Sequence, residues 1–404
     1  MLKCRSCLSD KLGSIIPLGK LPLANALLST QTIDVEPRYN LEVMLCEECG
    51  LAQLKDLIDP VELFSDYVYF SSNSDAMLSS VAKLVEEIIP TLPQNPFVIE
   101  IASNDGYLLK NYVKAGFNVL GIDPAKNIAK VANENGIPTL CDFFSESLAA
   151  NLAQSGEKAD IIHANNVMAH VPDINDFIKG LKTILKENGK AIIEVPYFLD
   201  LVKNFEFDTI YHEHVYYFSV SALKIAFERH GLEIVDIEKI KLHGGSLRLF
   251  VSHANRYSIN QKIVSMMQDE ENFGLYQLST FRSFMERLAE LKMELTQNLK
   301  NLKLKGAKIA AYGASAKGTT LLNYFNIGRD IIEFVVDRGF VKNGKFTPGT
   351  QLEILSPSKL IEENISHALL LVWNFAEEIM SQQKEFIDTG GKFIIPLPKV
   401  EIVS

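Results

Sequence analysis

Short apolar runs alternate with longer amphipathic stretches through the middle of the chain. Residues 97–101 form the first apolar run, which ends in a turn at 102–106 and precedes an apparent helix at 107–115. A second run at 119–122 ends at the carboxylate of Asp123. Apolar runs of this length, separated by helices, are typical of buried strands in a largely parallel sheet. A strand, a tight turn, a helix and a second strand with an acidic end predict a nucleotide-binding βαβ unit.

The alternation continues beyond this unit, so the predicted fold class is α/β. Further strands are predicted at 139–142, 160–164 and 191–195, with a helix at 174–185. A second strand–turn–helix–strand pattern lies near the C-terminus, with strands at 308–312 and 334–337. The turn between them is built from small residues, and it predicts a second nucleotide-binding-like unit.

A long amphipathic stretch from residue 263 to residue 302 separates the two units. Its apolar side chains recur at steps of three and four residues, which places them on one face of a helix. Gly274 is a possible break in that helix. We expect the apolar stripe to pack against the core and the helix to bridge the central and terminal domains.

The composition is that of an ordinary globular protein, with 47% hydrophobic and 22% charged residues among 404. A chain of this length predicts two or three domains. The formal net charge of −10 argues against general binding to nucleic acid or to an anionic membrane, and it leaves room for an anionic small substrate in a locally positive pocket. No apolar run approaches the ~20 residues that span a bilayer, and the N-terminus lacks the apolar core of a signal peptide. We therefore expect a cytoplasmic protein.

Four of the five cysteines form two C-x-x-C pairs, Cys4 with Cys7 and Cys46 with Cys49. Each pair can present two thiolates to one tetrahedral ion from a tight turn, which predicts a zinc site. Four thiolate ligands leave no open coordination position, so the zinc is expected to be structural. A redox pair is the alternative, but neither pair lies at the strand-to-helix junction of a thioredoxin-like unit. The fifth, Cys141, is expected to be a small buried residue at a strand end.

A zinc ribbon also raises the alternative of nucleic-acid binding. The segment between the cysteine pairs contains the stretch Leu-Pro-Leu-Ala-Asn at 21–25 and few basic residues. Without a basic stripe, the electrostatic signature of nucleic-acid binding is missing.

The turn at 102–106 bears on the identity of the cofactor. A dinucleotide fingerprint would need the glycines of G-x-G-x-x-G, and this turn supplies only Gly106, which weakens an NAD assignment. Residues 100–106 instead resemble motif I of class I S-adenosylmethionine-dependent methyltransferases, with Ala102 where that motif commonly has glycine. By this resemblance, Glu100 would lie near the methionine part of the cofactor, Asp123 would hold the ribose hydroxyls, and Asp142 and Phe143 would flank the adenine. The other predicted cofactor-binding residues are Ala102, Asn104, Gly106 and Asn165, with a turn-forming or capping role as the alternative for Asn165.

Motifs along nearly the whole chain resemble the sugar C-methyltransferases that modify nucleotide-linked deoxysugars. The matching segments are the two cysteine pairs and residues 67–72, 100–106, 211–214, 243–248 and 312–318. The resemblance implies a zinc-binding domain at 1–66, a class I methyltransferase domain of Rossmann-like fold at 67–240, and a C-terminal Rossmann-like α/β domain with the bridging helix at 241–404. It also implies S-adenosylmethionine-dependent C-methylation of a nucleotide-linked keto-deoxysugar.

The resemblance assigns the chemistry to the segment Tyr-His-Glu-His at 211–214. A carbon beside a ketone becomes nucleophilic only after a proton is removed, and the family's base corresponds to His214, with Tyr211 and Glu213 in acid–base and orienting roles. A neutral imidazole suits proton abstraction because its unperturbed pKa is ~6.5. His212 is expected to be structural, since it points away from Glu213 if the segment is extended. Tyr69 is predicted to bring its hydroxyl into the active site, with ordinary packing as the alternative.

Two further segments supply candidate handles for the substrate. His243, Gly244 and Arg248 belong to a glycine-containing segment in which Arg248 can grip a diphosphate bidentately. Since 246–251 alternates like a strand, an ion pair is the alternative for Arg248. Lys317 lies in the turn at 313–318, whose backbone N–H groups and added positive charge suit a phosphate. The alternative is that the glycines of this turn only permit close packing of strand and helix.

Three other functions compete with C-methylation. Methyl transfer to oxygen or nitrogen on a related sugar would keep the cofactor site without needing a carbanion. An oxidoreductase or epimerase is disfavoured because neither turn has the full dinucleotide fingerprint. A noncatalytic, zinc-stapled nucleotide-binding protein is disfavoured by the dense cluster of proton-carrying side chains at 211–214.

Overall fold

The computed structural model describes residues 2–32, 36–64, 70–73, 75–240 and 245–404. These residues form three β-sheets with helices packed around them, which confirms the predicted α/β class. Every helix in the described part of the chain is too short or too polar to cross a bilayer.

The N-terminal sheet is antiparallel and holds the cysteine pairs at one end. Its strands are β1 (Leu12–Pro22), β2 (Arg38–Cys46) and β3 (Ala52–Leu54). A two-residue strand from the middle of the chain, Tyr216–Tyr217, completes the sheet by pairing with β3. This strand directly follows the segment at 211–214, so the zinc-binding region and the predicted catalytic segment are joined by backbone hydrogen bonds. The short helix α1 (Pro60–Phe64) and the longer α2 (Asp75–Ile88) lead into the next sheet.

The central sheet has seven strands in the order β10-β11-β8-β7-β4-β5-β6. Strands β4 to β8 are parallel, and β10 and β11 form an antiparallel hairpin on one edge. The strands are β4 (Phe97–Ile101), β5 (Asn118–Ile122), β6 (Thr139–Leu140), β7 (Ala159–Asn165), β8 (Leu185–Pro196), β9 (Tyr216–Tyr217, in the N-terminal sheet), β10 (Leu232–Ile240) and β11 (Ser246–His253). The helices are α3 (Leu109–Lys114), α4 (Lys126–Glu134), α5 (Glu146–Gln154), α6 (Ile174–Ile184), α7 (Phe198–Lys203) and α8 (Val220–Glu228).

Local capping explains where several of these helices begin. The carboxylate of Asp173 accepts hydrogen bonds from the N–H groups of the next turn at the start of α6. Ser145 and Ser219 cap α5 and α8 in the same way. Such caps satisfy N–H groups that have no partner inside the helix, and each is worth about 1 kcal/mol.

The central sheet extends beyond the domain boundary predicted at residue 240. Strand β11 pairs with both β8 and β10, so it belongs to this sheet although it lies in the predicted C-terminal domain. β11 joins the central sheet by pairing with β8, which is distant in sequence, and the local sequence pattern does not show such a pairing.

The bridging region consists of two helices, α9 (Gln261–Phe273) and α10 (Leu278–Leu304). Gly274 ends α9 in the left-handed conformation, with φ of 77°, as expected for a glycine just after a helix. One face of α10 is buried from Phe281 to Leu299, which confirms most of the predicted stripe: Phe281, Phe284, Leu288, Leu291, Leu295 and Leu299. Leu302, at the end of the stripe, is half-buried.

The C-terminal sheet has six strands in the order β14-β13-β12-β15-β16-β17, all parallel except the edge strand β17. The strands are β12 (Ile309–Tyr312), β13 (Val335–Val336), β14 (Ile354–Leu355), β15 (His367–Leu370), β16 (Lys392–Ile395) and β17 (Glu401–Val403). The helices are α11 (Ala316–Phe325), α12 (Lys359–Glu362), α13 (Ala376–Gln382) and α14 (Lys384–Asp388). The predicted second strand–turn–helix–strand unit therefore corresponds to β12, α11 and β13.

Candidate active site

The turn after β4 adopts the left-handed backbone that a tight strand-to-helix connection needs. Ala102, Asn104 and Gly106 have φ of 54°, 49° and 79°. At Gly106 a Cβ atom would lie 2.8 Å from Cγ1 of Ile137, so only glycine fits there. Ala102 reaches the left-handed region without being glycine, at a cost of roughly 1–2 kcal/mol. The departure from the usual motif is therefore accommodated by the backbone.

Asp123 lies at the end of β5 and braces this turn. Its Oδ2 accepts a hydrogen bond from the N–H of Asn104 at 2.9 Å, and its Oδ1 accepts one from the N–H of Ala125 at 2.9 Å. Burial raises the pKa of Asp123, and these two bonds act in the opposite direction. Each carboxylate oxygen keeps a second lone pair, which suits the predicted contact with ribose hydroxyls.

Three polar side chains at the carboxyl ends of β4 and β7 carry atoms without a hydrogen-bond partner among the described residues. The atoms without a partner are both carboxylate oxygens of Glu100, Oδ1 of Asp105, and the side-chain amide oxygen and nitrogen of Asn165. Burial, together with the charges of Asp123 and Asp105, raises the pKa of Glu100 well above its usual range. Buried polar atoms are rarely left unpaired, so this edge fits a ligand rich in amino and hydroxyl groups. S-adenosylmethionine offers those groups.

The predicted adenine contacts lie at the edge of the central sheet. Asp142 and Phe143 are both exposed, and the Phe143 ring is 39% accessible. Oδ1 of Asp142 accepts a hydrogen bond from the Phe143 N–H at 2.8 Å. The prediction that Cys141 is buried was wrong, because β6 is a two-residue edge strand that ends at Leu140 and leaves Cys141 exposed beyond it.

Two hydrogen bonds hold the His214 ring. Its Nδ1 lies 2.8 Å from the carbonyl oxygen of Thr209, and its Nε2 lies 2.8 Å from the Tyr211 hydroxyl. A carbonyl oxygen can only accept, so Nδ1 carries the proton and Nε2 of the neutral ring is the basic nitrogen. The rings of Tyr211 and His214 also pack with centroids 4.0 Å apart. This pairing of base and orienting group is typical of general acid–base sites.

The segment at 211–214 is a turn, so the extended conformation on which the prediction for His212 was conditional is not present. The N–H of His214 donates to the carbonyl oxygen of Tyr211 at 3.0 Å, which closes the turn and brings the two side chains together. His212 is buried and its Nε2 lies 3.3 Å from the carbonyl oxygen of Tyr39, so it contacts the N-terminal sheet. That position fits the structural role predicted for His212.

Glu213 is buried on the other side of the turn, where it meets the N-terminal region. The side-chain amide of Asn25 donates to its two carboxylate oxygens at 2.7 and 2.9 Å. Burial raises the pKa of Glu213 to about 7, while the Asn25 hydrogen bond lowers it. Glu213 therefore titrates near neutral pH, which suits a group that exchanges or stabilises protons.

The segment at 211–214 lies against the loop that follows β7. The His170 ring packs edge-to-face on His214 with centroids 4.9 Å apart, and the N–H of Val215 donates to the Ala169 carbonyl at 2.7 Å. Burial lowers the pKa of His170 to about 4, so this ring stays neutral and adds no positive charge beside His214. Because β7 ends at Asn165, this contact connects His214 to the sheet edge where Asn165 and Glu100 lie.

Several predicted residues do not join this cluster. Tyr69, His243 and Gly244 lie outside the described residues. Arg248 is buried in β11 and forms ion pairs with Glu194 on β8 at 2.8 Å and Glu238 on β10 at 3.3 Å. Its position opposite these carboxylates on the neighbouring strands explains both ion pairs. They favour the alternative role for Arg248 and argue against a diphosphate grip.

Lys317 lies at the start of α11, with its ammonium 5.1 Å from the centroid of the Trp373 ring. The glycines of its turn are packing positions: a Cβ on Gly313 would meet Val372 at 2.6 Å, and one on Gly318 would meet Leu371 at 2.8 Å. These contacts favour the alternative that the turn only permits close packing of strand and helix.

The four paired cysteines form one cluster. The Sγ atoms of Cys4 and Cys49 are 3.6 Å apart, those of Cys7 and Cys46 are 3.5 Å apart, and all four lie within 4.8 Å of one another. A tetrahedral zinc with Zn–S bonds of ~2.3 Å needs sulfurs ~3.8 Å apart, so the cluster fits the ion. The predicted structural zinc site is assigned to these residues.

The sequence patterns did not indicate several residues that surround the segment at 211–214. Neither Asn25 nor Thr209 belongs to a sequence motif. Asn25 contacts a side chain that is distant in sequence, and Thr209 acts through its backbone carbonyl. Asp208 is fully buried and accepts a hydrogen bond from Nε1 of Trp373 at 2.7 Å. The one local signal for Asp208 in the sequence is its position, a carboxylate among apolar residues shortly before the 211–214 segment.

Comparison with known proteins gives three family models that together span most of the chain. The family described as "Putative zinc binding domain" matches residues 4–64, "Methyltransferase domain" matches 75–237, and "C-methyltransferase C-terminal domain" matches 241–398. The C-methyltransferase NovU of Streptomyces niveus is 34% identical over 406 residues, which covers 100% of this chain and 97% of that protein.

Other similar proteins match a smaller part of the chain. The ubiquinone biosynthesis O-methyltransferase of Bartonella bacilliformis is 29% identical over 123 residues, or 28% of this chain and 50% of that protein. Among solved structures, magnesium protoporphyrin IX methyltransferase (ChlM) from Synechocystis PCC 6803 with bound SAH is 16% identical. It covers 44% of this chain and 83% of its own, with a TM-score of 0.35.

Proposed function

Because this chain belongs to the C-methyltransferase family, and with it to the S-adenosylmethionine-dependent methyltransferases, we propose that its acceptor is a nucleotide-linked keto-deoxysugar. The methyl group is transferred to the carbon next to the ketone. The observation that carries this proposal is the His214 ring, held by Thr209 and Tyr211 with its basic nitrogen on the side of the Tyr211 hydroxyl. Methyl transfer to oxygen or nitrogen would have less need of such a base.

The first step removes a proton from the carbon beside the ketone. That proton moves to Nε2 of His214, and the electron pair of the broken C–H bond passes into the enolate. The Thr209 carbonyl stays hydrogen-bonded to Nδ1–H and stabilises the resulting imidazolium. Tyr211, freed from donating to Nε2, turns its hydroxyl hydrogen towards the enolate oxygen.

The enolate carbon then forms its new bond. Bound S-adenosylmethionine supplies a methyl group on a positively charged sulfur, and the electrons of the C–S bond remain on sulfur as the carbon–carbon bond forms. Glu100, Ala102, Asn104, Gly106, Asp123, Asp142, Phe143 and Asn165 are the residues we propose to hold it. The protein's contribution to this step is alignment of the two carbons, which increases the effective concentration of the reactants.

The substrate side of the site is proposed from the sequence alone. Tyr69, His243 and Gly244 remain candidates for contacts with the sugar nucleotide. Lys317 is retained as a candidate counter-charge for phosphate at the junction with the C-terminal domain. We assign no substrate contact to Arg248, because it is already paired with two carboxylates.

Proton exchange in heavy water tests the mechanism separately from methyl transfer. Incubated in D₂O with a nucleotide-linked keto-deoxysugar and S-adenosylhomocysteine, the wild-type protein should incorporate deuterium at the carbon next to the ketone, as seen by NMR. His214→Asn should slow this exchange by about 10²- to 10⁴-fold, the usual contribution of a positioned base. Its affinity for S-adenosylhomocysteine, measured by calorimetry, should be unchanged. Unaltered exchange in this variant, or methylated oxygen in the wild-type product, would count against the proposal.

A further inference from the structure

A turn of the N-terminal domain reaches directly into the catalytic segment. Asn25 follows β1, and its side-chain amide donates to both carboxylate oxygens of Glu213, at 2.7 and 2.9 Å. The two residues are 188 positions apart in sequence. Glu213 is only 4% exposed, so this contact is shielded from water. In a buried setting a hydrogen bond to a charged acceptor is stronger than at the surface.

The turn that carries Asn25 is anchored on the C-terminal domain as well. The carbonyl oxygen of Ala24 accepts a hydrogen bond from Thr319 Oγ1 at 3.0 Å, and Leu28 exchanges two backbone hydrogen bonds of 2.8 Å with Phe346. The turn is therefore fixed from three directions: by β1, by the C-terminal domain and by Glu213. An amide held in this way loses little conformational entropy when it binds the carboxylate.

The surroundings of Glu213 leave Asn25 as the group that favours its ionised form. Burial disfavours the charge, and no charged side chain among the described residues offsets that effect. The neighbouring His170 ring is neutral near pH 7 because burial lowers its pKa to about 4. The balance between burial and the Asn25 amide decides how much of Glu213 is ionised near neutral pH.

We propose that Asn25 is a positioning residue for the reaction: the zinc-binding domain delivers its amide to Glu213 and keeps that carboxylate ionised and oriented within the turn that also carries His214. The N-terminal domain then contributes to the active site as well as to folding. This inference rests on the proposed function, in which Glu213 supports the base. It assigns a residue that carries no methyltransferase motif.

The test compares Asn25→Ala and Asn25→Asp with the matched control Thr319→Val. Thr319→Val removes the anchor on Ala24 without touching Glu213, so it reports on a merely structural role of the turn. Asn25→Asp keeps the shape of the side chain, so it remains testable if Asn25→Ala does not fold. Ionisation of Glu213 is followed by carboxylate infrared bands, with Glu213→Gln identifying the signal, and turnover is followed across pH in the full-length zinc-loaded protein.

We expect the Glu213 ionisation midpoint to rise by about one pH unit in Asn25→Ala, and further in Asn25→Asp, where a second carboxylate faces it. The acidic limb of the kcat/KM profile should move by the same amount, which lowers the rate at pH 7 about five-fold. Thr319→Val should leave the midpoint in place.

An unchanged midpoint in both Asn25 variants would overturn the inference, as would an equal shift in Thr319→Val. If Glu213→Gln retains full turnover, the role of Glu213 in the proposed function fails. In that case the catalytic part of the inference fails with it, and the infrared midpoint still tells whether Asn25 controls the ionisation.

Discussion

The carbonyl oxygen of Thr209 can only accept a hydrogen bond, and it thereby decides which nitrogen of His214 is basic. Because the partner is a backbone atom, no side-chain substitution removes it, and the tautomer is fixed by the fold. Tyr211 then meets the basic nitrogen through its hydroxyl. The four-residue turn at 211–214 brings the Tyr211 hydroxyl to the basic nitrogen of the His214 ring.

Glu213 gives a prediction about stability that does not depend on the reaction. Burial raises its pKa to about 7 in the folded protein, whereas an unfolded chain has a glutamate pKa of ~4.3. The folded state thus binds the proton more tightly, and its contribution to stability is fully present below pH ~4 and is lost as pH rises through 7.

Glu213→Gln replaces this carboxyl with a group that stays neutral. Urea unfolding of the variant and the wild type should show a gain of about 2–3 kcal/mol for the variant at pH 8 relative to the difference at pH 4.5. An offset that is the same at both pH values would contradict the raised pKa. Glu157→Gln, at an exposed position in the loop after α5, is a suitable control for the effect of the substitution itself.

At the scale of single elements, the turn between β4 and α3 combines a positive φ with close packing. Gly106→Ala introduces both a strained backbone and a 2.8 Å contact with Ile137. We expect a loss of about 2–4 kcal/mol in the free energy of unfolding and weaker binding of S-adenosylhomocysteine. Denaturant unfolding and calorimetry measure the two effects.

Gly116 provides the matched control for this change. It has a φ of 83° and no atom within 4 Å of a built Cβ, so Gly116→Ala adds the backbone strain without the contact. Its cost should be about 1 kcal/mol, with cofactor affinity unchanged. Equal losses in the two variants would mean that Ile137 does not restrict this turn.

The elements that sequence predicted well are those whose signal is local. The apolar run of β4, its turn and the acidic end of β5 lie within 30 residues, and the stripe on α10 repeats along a single helix. The pairing of strand β11 with the central sheet could not be predicted, because its partners on β8 are about 50 residues away. Cys141 was assigned to the interior because sequence does not show that β6 is a two-residue edge strand.

In the candidate site, too, contacts between residues close in sequence could be predicted, and contacts between distant residues could not. Tyr211 and His214 are three residues apart, so their hydrogen bond follows from a turn. Asn25 lies in a stretch that attracted notice only for its lack of basic residues. Its role depends on how the N-terminal sheet packs on the central domain, which no local pattern specifies.

For the whole molecule, four contacts join the domains around the segment at 208–217. Strand β9 extends the N-terminal sheet directly after residue 214. Asn25 reaches Glu213 from the same domain. On the opposite side, Thr320 of α11 donates to the carbonyl oxygen of Ile210, and Trp373 donates to Asp208. The segment from 208 to 217 is therefore held between the N-terminal and C-terminal domains, and loss of order in either should reach the active site.

Cys46 tests that dependence from the N-terminal side. It is the last residue of β2, its thiol lies 3.5 Å from Cys7, and its N–H donates to the Leu51 carbonyl. Metal binding by a four-thiolate site is itself folding free energy, on the order of 10 kcal/mol in small zinc domains. Cys46→Ser should therefore lower the metal content, destabilise the N-terminal sheet and release both β9 and Asn25 from their positions.

Cys141→Ser is the matched control, since it changes an exposed cysteine outside the cluster. Metal content by mass spectrometry, limited proteolysis within residues 2–54 and turnover should all change in Cys46→Ser and remain at wild-type values in Cys141→Ser. Turnover in Cys46→Ser should fall because Glu213 loses its amide partner. The affinity for S-adenosylhomocysteine should fall less, since the turn after β4 makes no bond to the cysteine cluster among the described residues. Wild-type turnover in a metal-depleted Cys46→Ser protein would separate the zinc-binding domain from catalysis altogether.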